Sequence, residues 1–267
     1  MSKVVLITGA SSGIGKSTAK LLSKKGFRVY GTGRNPNTIE NIGYSLIPLD
    51  VTKSETISLA IDLILEKEGR LDVLVNNAGM GITGPIEDTP TNEMRKVFET
   101  NFFGAIDMMK AVLPQMRKQQ SGTIINVTSI AGYMGLPFRG VYSATKGALD
   151  LVSEAARMEV KEFGVKIVTI APGDVATNIA AGRYHTPVFD NSAYKEKYQM
   201  NLDLMDSHVD SGMNPIKMAE KIHQIINLKQ PIVHYKVGAF MERFSIVLKK
   251  ILPSKIYEKL LMNHYKL

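Results

Sequence analysis

Tyr142 and Lys146 stand four residues apart in a stretch of helical periodicity, and Ser129 lies just past the end of an apolar run upstream of them. Residues four apart on a helix share a face, so the Lys146 ammonium is expected beside the Tyr142 phenol. A free phenol titrates near ~10 and is a poor acid or base at neutral pH. A neighbouring cation favours its phenolate and makes it useful for moving a proton. Ser129 falls at the C-terminal end of an expected strand, where parallel sheets place their chemistry, and its hydroxyl can donate to a carbonyl oxygen. The three side chains together suit the interconversion of a carbonyl and an alcohol, given a hydride partner. Singly, each has a plainer reading as a surface Tyr–Lys pair or a strand-end serine, so the combination carries the weight.

The hydride partner is implied by a second motif. Thr8-Gly9-Ala10-Ser11-Ser12-Gly13-Ile14-Gly15 separates the first apolar run from the first helical one. Glycines there let the backbone turn tightly against a pyrophosphate, whose charge is favoured by the amides of a helix N-terminus. The spacing is G-x-x-x-G-x-G and departs from the G-x-G-x-x-G fingerprint, so a tight turn without a ligand is the competing reading. The second strand then ends Gly31-Thr32-Gly33-Arg34-Asn35, without the carboxylate that holds a ribose 2′-hydroxyl in NAD sites. Arg34 instead suits a 2′-phosphate, which points to NADP(H).

Positioning these residues requires alternating strands and helices. Strands are expected at 4–8, 27–30, 44–49, 72–75, 123–127, 165–170 and 232–235, and helices at 16–25, 142–162 and 215–228. Thr52-x-x-Glu55 has the pattern of a capping box before a helix carrying Ile57, Ile61, Ile64 and Leu65. Further helical runs carry Met94, Val97, Phe98 and Asn101, then Met109, Val112 and Leu113. Six or seven apolar strands alternating with helices imply a single α/β domain, a doubly wound Rossmann-like parallel sheet with helices on both faces and a C-terminal helical extension. Residues 1–237 make the dinucleotide-binding and catalytic body, and 238–267 the extension.

With these motifs in order, the chain resembles the short-chain dehydrogenases/reductases from Val4 to about Tyr235. The pieces are Gly9-x-x-x-Gly13-x-Gly15, Asn76-Asn77-Ala78-Gly79, Asn101, Ser129, Tyr142-x-x-x-Lys146, and Pro172-Gly173 followed by Thr177. The resemblance implies that Asn101 holds a water linking Lys146 to solvent. It also implies that Asp50 and Val51 meet the adenine, that Asn77, Ala78 and Gly79 meet the adenosine ribose, and that Pro172, Gly173, Val175 and Thr177 flank the nicotinamide. A homodimer or homotetramer through the helices bearing Asn101 and Tyr142 is likewise implied. Two alternatives on the same fold are a non-catalytic NADP-binding regulator and a peripheral membrane module.

The substrate segment is expected within 174–214, which holds Tyr184, Tyr194, Tyr198, Met200, Leu202, Leu204, Met205 and Met213; Met134, Leu136 and Phe138 form the opposing wall. Such side chains suit a small apolar, lipid- or steroid-like ketone or secondary alcohol. Packing of the lid onto the body is the equal alternative. The formal charge is +8, and from Lys229 onward eight Lys/Arg face two Glu, leaving the rest of the chain close to neutral. Phe240, Phe244, Val247, Leu248 and Ile251 repeat at helical spacing among those charges, before Pro253 and a second basic stretch, 255–266. The stripe is expected to dock beside the substrate segment; lying weakly on an anionic membrane is the alternative. No motif supports nucleic-acid binding. Without cysteine there is no thiolate chemistry, and five dispersed histidines give no expectation of a metal. No signal peptide precedes Val4, so a cytoplasmic protein is expected.

Overall fold

A computed structural model describes residues 2–35, 43–176, 182–210 and 212–267, with only the backbone of 206–210. β1 (Val4–Ile7), α1 (Gly13–Lys24), β2 (Arg28–Gly33), β3 (Ser45–Pro48), α2 (Ser54–Glu68) and β4 (Val73–Asn76) build the first half. A short β5 (Ile82–Thr83) leads to α3 (Thr91–Phe98), a π-helical turn (Glu99–Phe103) and α4 (Gly104–Lys118). β6 (Gly122–Val127), a 3₁₀ turn (Ile130–Tyr133), α5 (Gly140–Glu159) and β7 (Val165–Pro172) follow. The chain ends with β8 (Tyr184–His185), α6 (Lys195–Asp210), α7 (Pro215–Asn227), β9 (His234–Val237), α8 (Phe240–Ile251) and α9 (Ser254–His264).

Seven strands form one parallel sheet in the order β3-β2-β1-β4-β6-β7-β9, while β5 and β8 pair separately. Side chains alternate across that sheet with a period of two. Val4, Leu6, Leu74, Ile124 and Ile167 enter a core with α2 and α4, whereas Val5, Ile7, Val75, Ile125, Val168 and Ile170 enter a second core with α1 and α7. Burial on both faces explains why the strands read as continuous apolar runs. The strand order reverses between β1 and β4, the switch point at which such sheets open a ligand crevice. The glycine turn leaves β1 there, and Asn77 and Gly79 leave β4 beside it.

Several boundaries differ from the expected ones, for reasons the contacts supply. α1 starts three residues early, because glycines of low helical propensity occupy its first turn. β2 runs on through Gly31, Thr32 and Gly33, all buried. A Cβ at Gly31 would lie 2.6 Å from the Tyr44 ring and 2.7 Å from Ala10 Cβ, so only glycine keeps the strand there. The capping box is absent: Lys53 is the N-cap of α2, and the Thr52 hydroxyl donates to Asp50 Oδ1 over 2.8 Å. β9 begins two residues later than expected and pairs His234 with Thr169. As expected, Pro253 separates α8 from α9; a third small core of Ile130, Met134, Ala171, Ile246 and Tyr257, not foreseen, fastens both to the body.

The glycine turn is closed by the protein's own backbone. A Cβ on Gly15 would lie 2.4 Å from the Gly9 carbonyl oxygen and 2.5 Å from Asn77 Nδ2. Gly15→Ala is therefore expected to lower stability by ~1–3 kcal/mol through overpacking, measured by chemical denaturation. An unchanged denaturation midpoint would show that the turn has slack.

Candidate active site

β6 ends at Val127, and two residues later Ser129 opens the 3₁₀ turn, its Oγ accepting from Ala131 N at 3.1 Å. Across from it, Lys146 lies on the inner face of α5 and donates from Nζ to the Val127 carbonyl oxygen over 2.9 Å. Full burial, which penalises the charged form, brings the Lys146 pKa down to about 8. One turn earlier on α5, the Tyr142 ring centre is 6.0 Å from Lys146 Nζ. Ser129 and Tyr142 both face a cavity of about 460 Å³.

Asn101 sits in the π-helical turn, a departure from α-helical bonding that often marks functional sites. Its Oδ1 accepts from Met80 N at 2.8 Å, and its Nδ2 donates to Met80 O at 2.9 Å and to Thr145 Oγ1 at 3.2 Å. Gly79 is wedged in between: a Cβ there would be 3.2 Å from Asn101 Oδ1 and 3.5 Å from Lys146 Nζ. The structure thus brings Asn101, Lys146 and the segment after β4 to one point.

The residues expected to hold a dinucleotide gather at the switch point. Gly9 and Gly13 take positive φ of 66° and 54°, a conformation glycine adopts freely. Ser12 caps α1 without a side-chain bond, and no acid stands in its first turn, so the amides and dipole there suit an anion. The Asn77 side chain holds the turn itself, donating to the carbonyls of Thr8 at 2.9 Å and Gly9 at 3.1 Å. The amides of Asn77 and Ala78 donate to Thr8 Oγ1. Ser11 lies beside Gly33 at the end of β2, and Arg34, just beyond, is exposed. Burial opposes ionisation of Asp50, but hydrogen bonds from Thr52, with Arg34 and Lys53 nearby, hold its carboxyl below the usual range. Val51 is buried against Gly104. Ile14, Pro172, Gly173 and Val175 line the same cavity as Ser129 and Tyr142. Thr177 lies outside the described residues.

The substrate wall departs from expectation. Met134 and Leu136 line the cavity, but Phe138 packs on Tyr198 with ring centres 5.3 Å apart. Of the eight side chains singled out in 174–214, Met205 lines it; Tyr198 is buried with its hydroxyl on Thr83 O, and Tyr194 reaches Glu87. The remaining wall comes from the C-terminal helices, including Ser245, Leu248, Tyr257 and Leu261. Of the expected docking stripe, Leu248 alone faces the cavity, while Phe240, Phe244, Val247 and Ile251 are exposed. The rotation of α8 is set by Ile246, buried in the third core, and by Glu242, whose carboxylate accepts from Asp174 N at 2.7 Å and Ala239 N at 2.6 Å. A Cβ on Gly173 would collide with that carboxylate, which explains the glycine.

Two residues missed in the sequence belong here. The Arg139 guanidinium lies 5.6 Å from the Tyr142 ring centre and lines the cavity together with Tyr265. Glu242 is the other, signalled only by an acid three residues after a helix start. Away from the cavity, Asp150, Glu154 and His234 come together in space, with His234 Nδ1 2.9 Å from Thr169 Oγ1. Asp150 and Glu154 stand four apart on α5, but His234 is remote in sequence, so spacing did not join the three.

Comparison with known proteins bears on this arrangement. The family model described as short chain dehydrogenase matches residues 3–187. A 3-ketodihydrosphingosine reductase of Bacteroides thetaiotaomicron is 40% identical over 265 residues, covering 98% of either chain. A short-chain dehydrogenase structure from Streptomyces avermitilis superposes with a TM-score of 0.82 at 32% identity, covering 97% of both chains. The structure of ElxO with NADP bound has a TM-score of 0.72 at 30% identity, over 89% of this chain and 97% of that one.

Glu242 joins α8 to the segment after β7 through charge-assisted bonds. Glu242→Ala is expected to lower stability by ~1.5–3 kcal/mol, read from chemical denaturation. A loss below a few tenths of a kcal/mol would mean that the carboxylate only rests on those amides.

Proposed function

The chain belongs to the short-chain dehydrogenase family and is an oxidoreductase acting on carbonyl or alcohol groups, and on that footing we propose that it reduces an apolar, long-chain ketone with NADPH. The observation that carries this reading is the shared cavity. Ser129 and Tyr142 line it together with Ile14, Pro172 and Val175 and with an apolar set, Met134, Leu136, Met205, Leu248 and Leu261. Its volume, about 460 Å³, lies within the range of drug-sized ligand sites. The reductase relative from Bacteroides supports an amphiphilic keto-lipid such as 3-ketodihydrosphingosine. Arg139, Asp174, Arg183 and His264 add polar groups to the lining that suit a head group.

The residues present fit a nicotinamide dinucleotide: an uncapped helix N-terminus for the pyrophosphate, and an Arg rather than a carboxylate after β2 for a 2′-phosphate. ElxO, with NADP bound, is a neighbour that supports this choice. When bound, the dinucleotide supplies the hydride to the carbonyl carbon. Ser129 Oγ donates to the carbonyl oxygen and orients it. As negative charge develops on that oxygen, the Tyr142 hydroxyl transfers its proton there. The Lys146 ammonium offsets the charge left on the phenol oxygen. Burial has brought Lys146 near about 8, so it can pass a proton on at physiological pH. Asn101, across Gly79 from Lys146, orders the exit of that relay. Asp50, Val51, Asn77, Ala78, Gly79 and Thr177 complete the cofactor contacts.

In this reading residues 1–237 are the catalytic body and 238–267 an extension that closes its substrate cavity, in a protein working in the cytoplasm. Exposed Phe103, beside α4, and Leu151 and Met158 on α5 support a homo-oligomer through those helices.

Tyr142→Phe removes the proton donor and keeps the ring, so kcat should fall by about 10²–10⁴-fold while the Kd for NADPH stays within a few-fold. Wild-type turnover in that variant would remove Tyr142 from the mechanism. Arg34→Ala should weaken NADPH by ~1.5–3 kcal/mol and leave NADH nearly unchanged, measured by calorimetry. Equal efficiency of wild type with both cofactors would contradict the assignment of Arg34.

A further inference from the structure

We infer that the outer face of α8 and α9 is a docking surface for an anionic lipid bilayer. The inner face of α8 is fully engaged: Ile246 is buried, Glu242 holds Asp174 and Ala239, and Ser245 and Leu248 line the cavity. Opposite it, Phe240, Phe244, Val247 and Ile251 run along the helix at i, i+4, i+7 and i+11, with Phe240 68% and Ile251 72% exposed. The Phe240 and Phe244 rings stack with centres 5.6 Å apart, so two aromatic faces are presented together. Ile256 and Leu260, one turn apart on α9, add to the exposed apolar surface. Nothing in the fold requires these side chains outside, and a monomer's surface seldom gathers so many without a partner.

Charge identifies the partner. Arg243, Lys250, Lys255, Lys259 and Lys266 are exposed on these helices and the tail beyond them, while Lys249, also exposed, lies over the Tyr257 ring at 5.2 Å. Of the two acids in the segment, Glu242 is turned inward and Glu258 remains. An apolar stripe flanked by cations, on helices too short to cross a bilayer, has the two signals that hold a helix in an anionic interface. A second copy of the same face would set cation against cation, which disfavours a symmetric contact. The exposed apolar residues of α5 already offer a different surface for a second copy.

Met241 and Leu260 line the cavity and are also 66% and 46% exposed, so its rim includes side chains of the two helices that carry the docking surface. A keto-lipid would then pass from the bilayer to Tyr142 without crossing water. That consequence rests on the apolar-ketone reading, whereas the docking itself does not.

The test is co-sedimentation of the full chain with vesicles of mixed phosphatidylglycerol and phosphatidylcholine, and with phosphatidylcholine alone. Binding is expected for the anionic vesicles at low salt, falling at least about tenfold in high salt. Phe240→Ser/Phe244→Ser should lose about tenfold or more in partition coefficient with an unchanged melting temperature, since both rings are exposed. Lys250→Glu/Lys255→Glu should lose binding by the charge route alone. Equal binding to both vesicle types, no binding to either, or a variant whose defect is a changed oligomeric state in sedimentation velocity would overturn the proposal. If the wild type binds anionic vesicles yet reduces no ketone, the functional reading fails and the docking surface stands.

Discussion

Burying an ammonium costs free energy, and in the described structure Lys146 meets that cost by donating to the Val127 carbonyl over 2.9 Å. The bond ties the inner face of α5 to the last residue of β6. Ser129 follows Val127 by two residues, and Tyr142 precedes Lys146 by one helical turn. One contact therefore brings both hydroxyls of the proposed chemistry to the same cavity. The neighbouring packing protects it. Gly79 leaves room for Lys146 and Asn101 to approach from two sides, and the amide of Asn101 is fixed on both polar groups of Met80. Beneath them Asn76, Asn126 and Ser153 form a buried hydrogen-bonded run between β4, β6 and α5.

The C-terminal helices are part of the same construction. Glu242 reaches the amide of Asp174, next to Pro172 and Gly173, and the Gly173 amide bonds Val237 at the end of β9. Arg139 lies over the ring of Tyr142, and both line the cavity with Tyr265, near the chain's end. Residues flanking the expected nicotinamide site are thus braced by the extension that bounds the substrate cavity.

What could be read from the residues alone follows from the range of the interactions. The Tyr142–Lys146 pair, the strand-end Ser129 and the glycine turn are local patterns, and each was visible at its own spacing. The parallel sheet was visible because both its faces are buried. Local reading failed where a distant partner sets the geometry. Gly31 and Gly33 read only as the trailing end of the second strand until Tyr44, Ala10 and Ser11 are seen against them. The periodicity of α8 revealed an apolar line but not which side is covered, because Asp174, 68 residues away, fixes the rotation through Glu242. Arg139 carried no signal, since Tyr265 lies at the far end of the chain. Composition leaves the apolar residues of 174–214 equally open to the cavity and to packing on the body, and Tyr198 and Tyr194 take the second course, holding that segment to β5 and its neighbours.

Hydride transfer from NADPH to a ketone carbon, at the cavity shared by Ser129 and Tyr142, can be observed in the product. The full-length protein would be given NADPH deuterated at the transferable position of the nicotinamide, with 3-ketodihydrosphingosine as substrate, and the alcohol analysed by mass spectrometry. The predicted result is an alcohol carrying the deuterium on the former carbonyl carbon, formed from one face of the nicotinamide only. An unlabelled alcohol, or no alcohol from this or any other long-chain ketone, would contradict it.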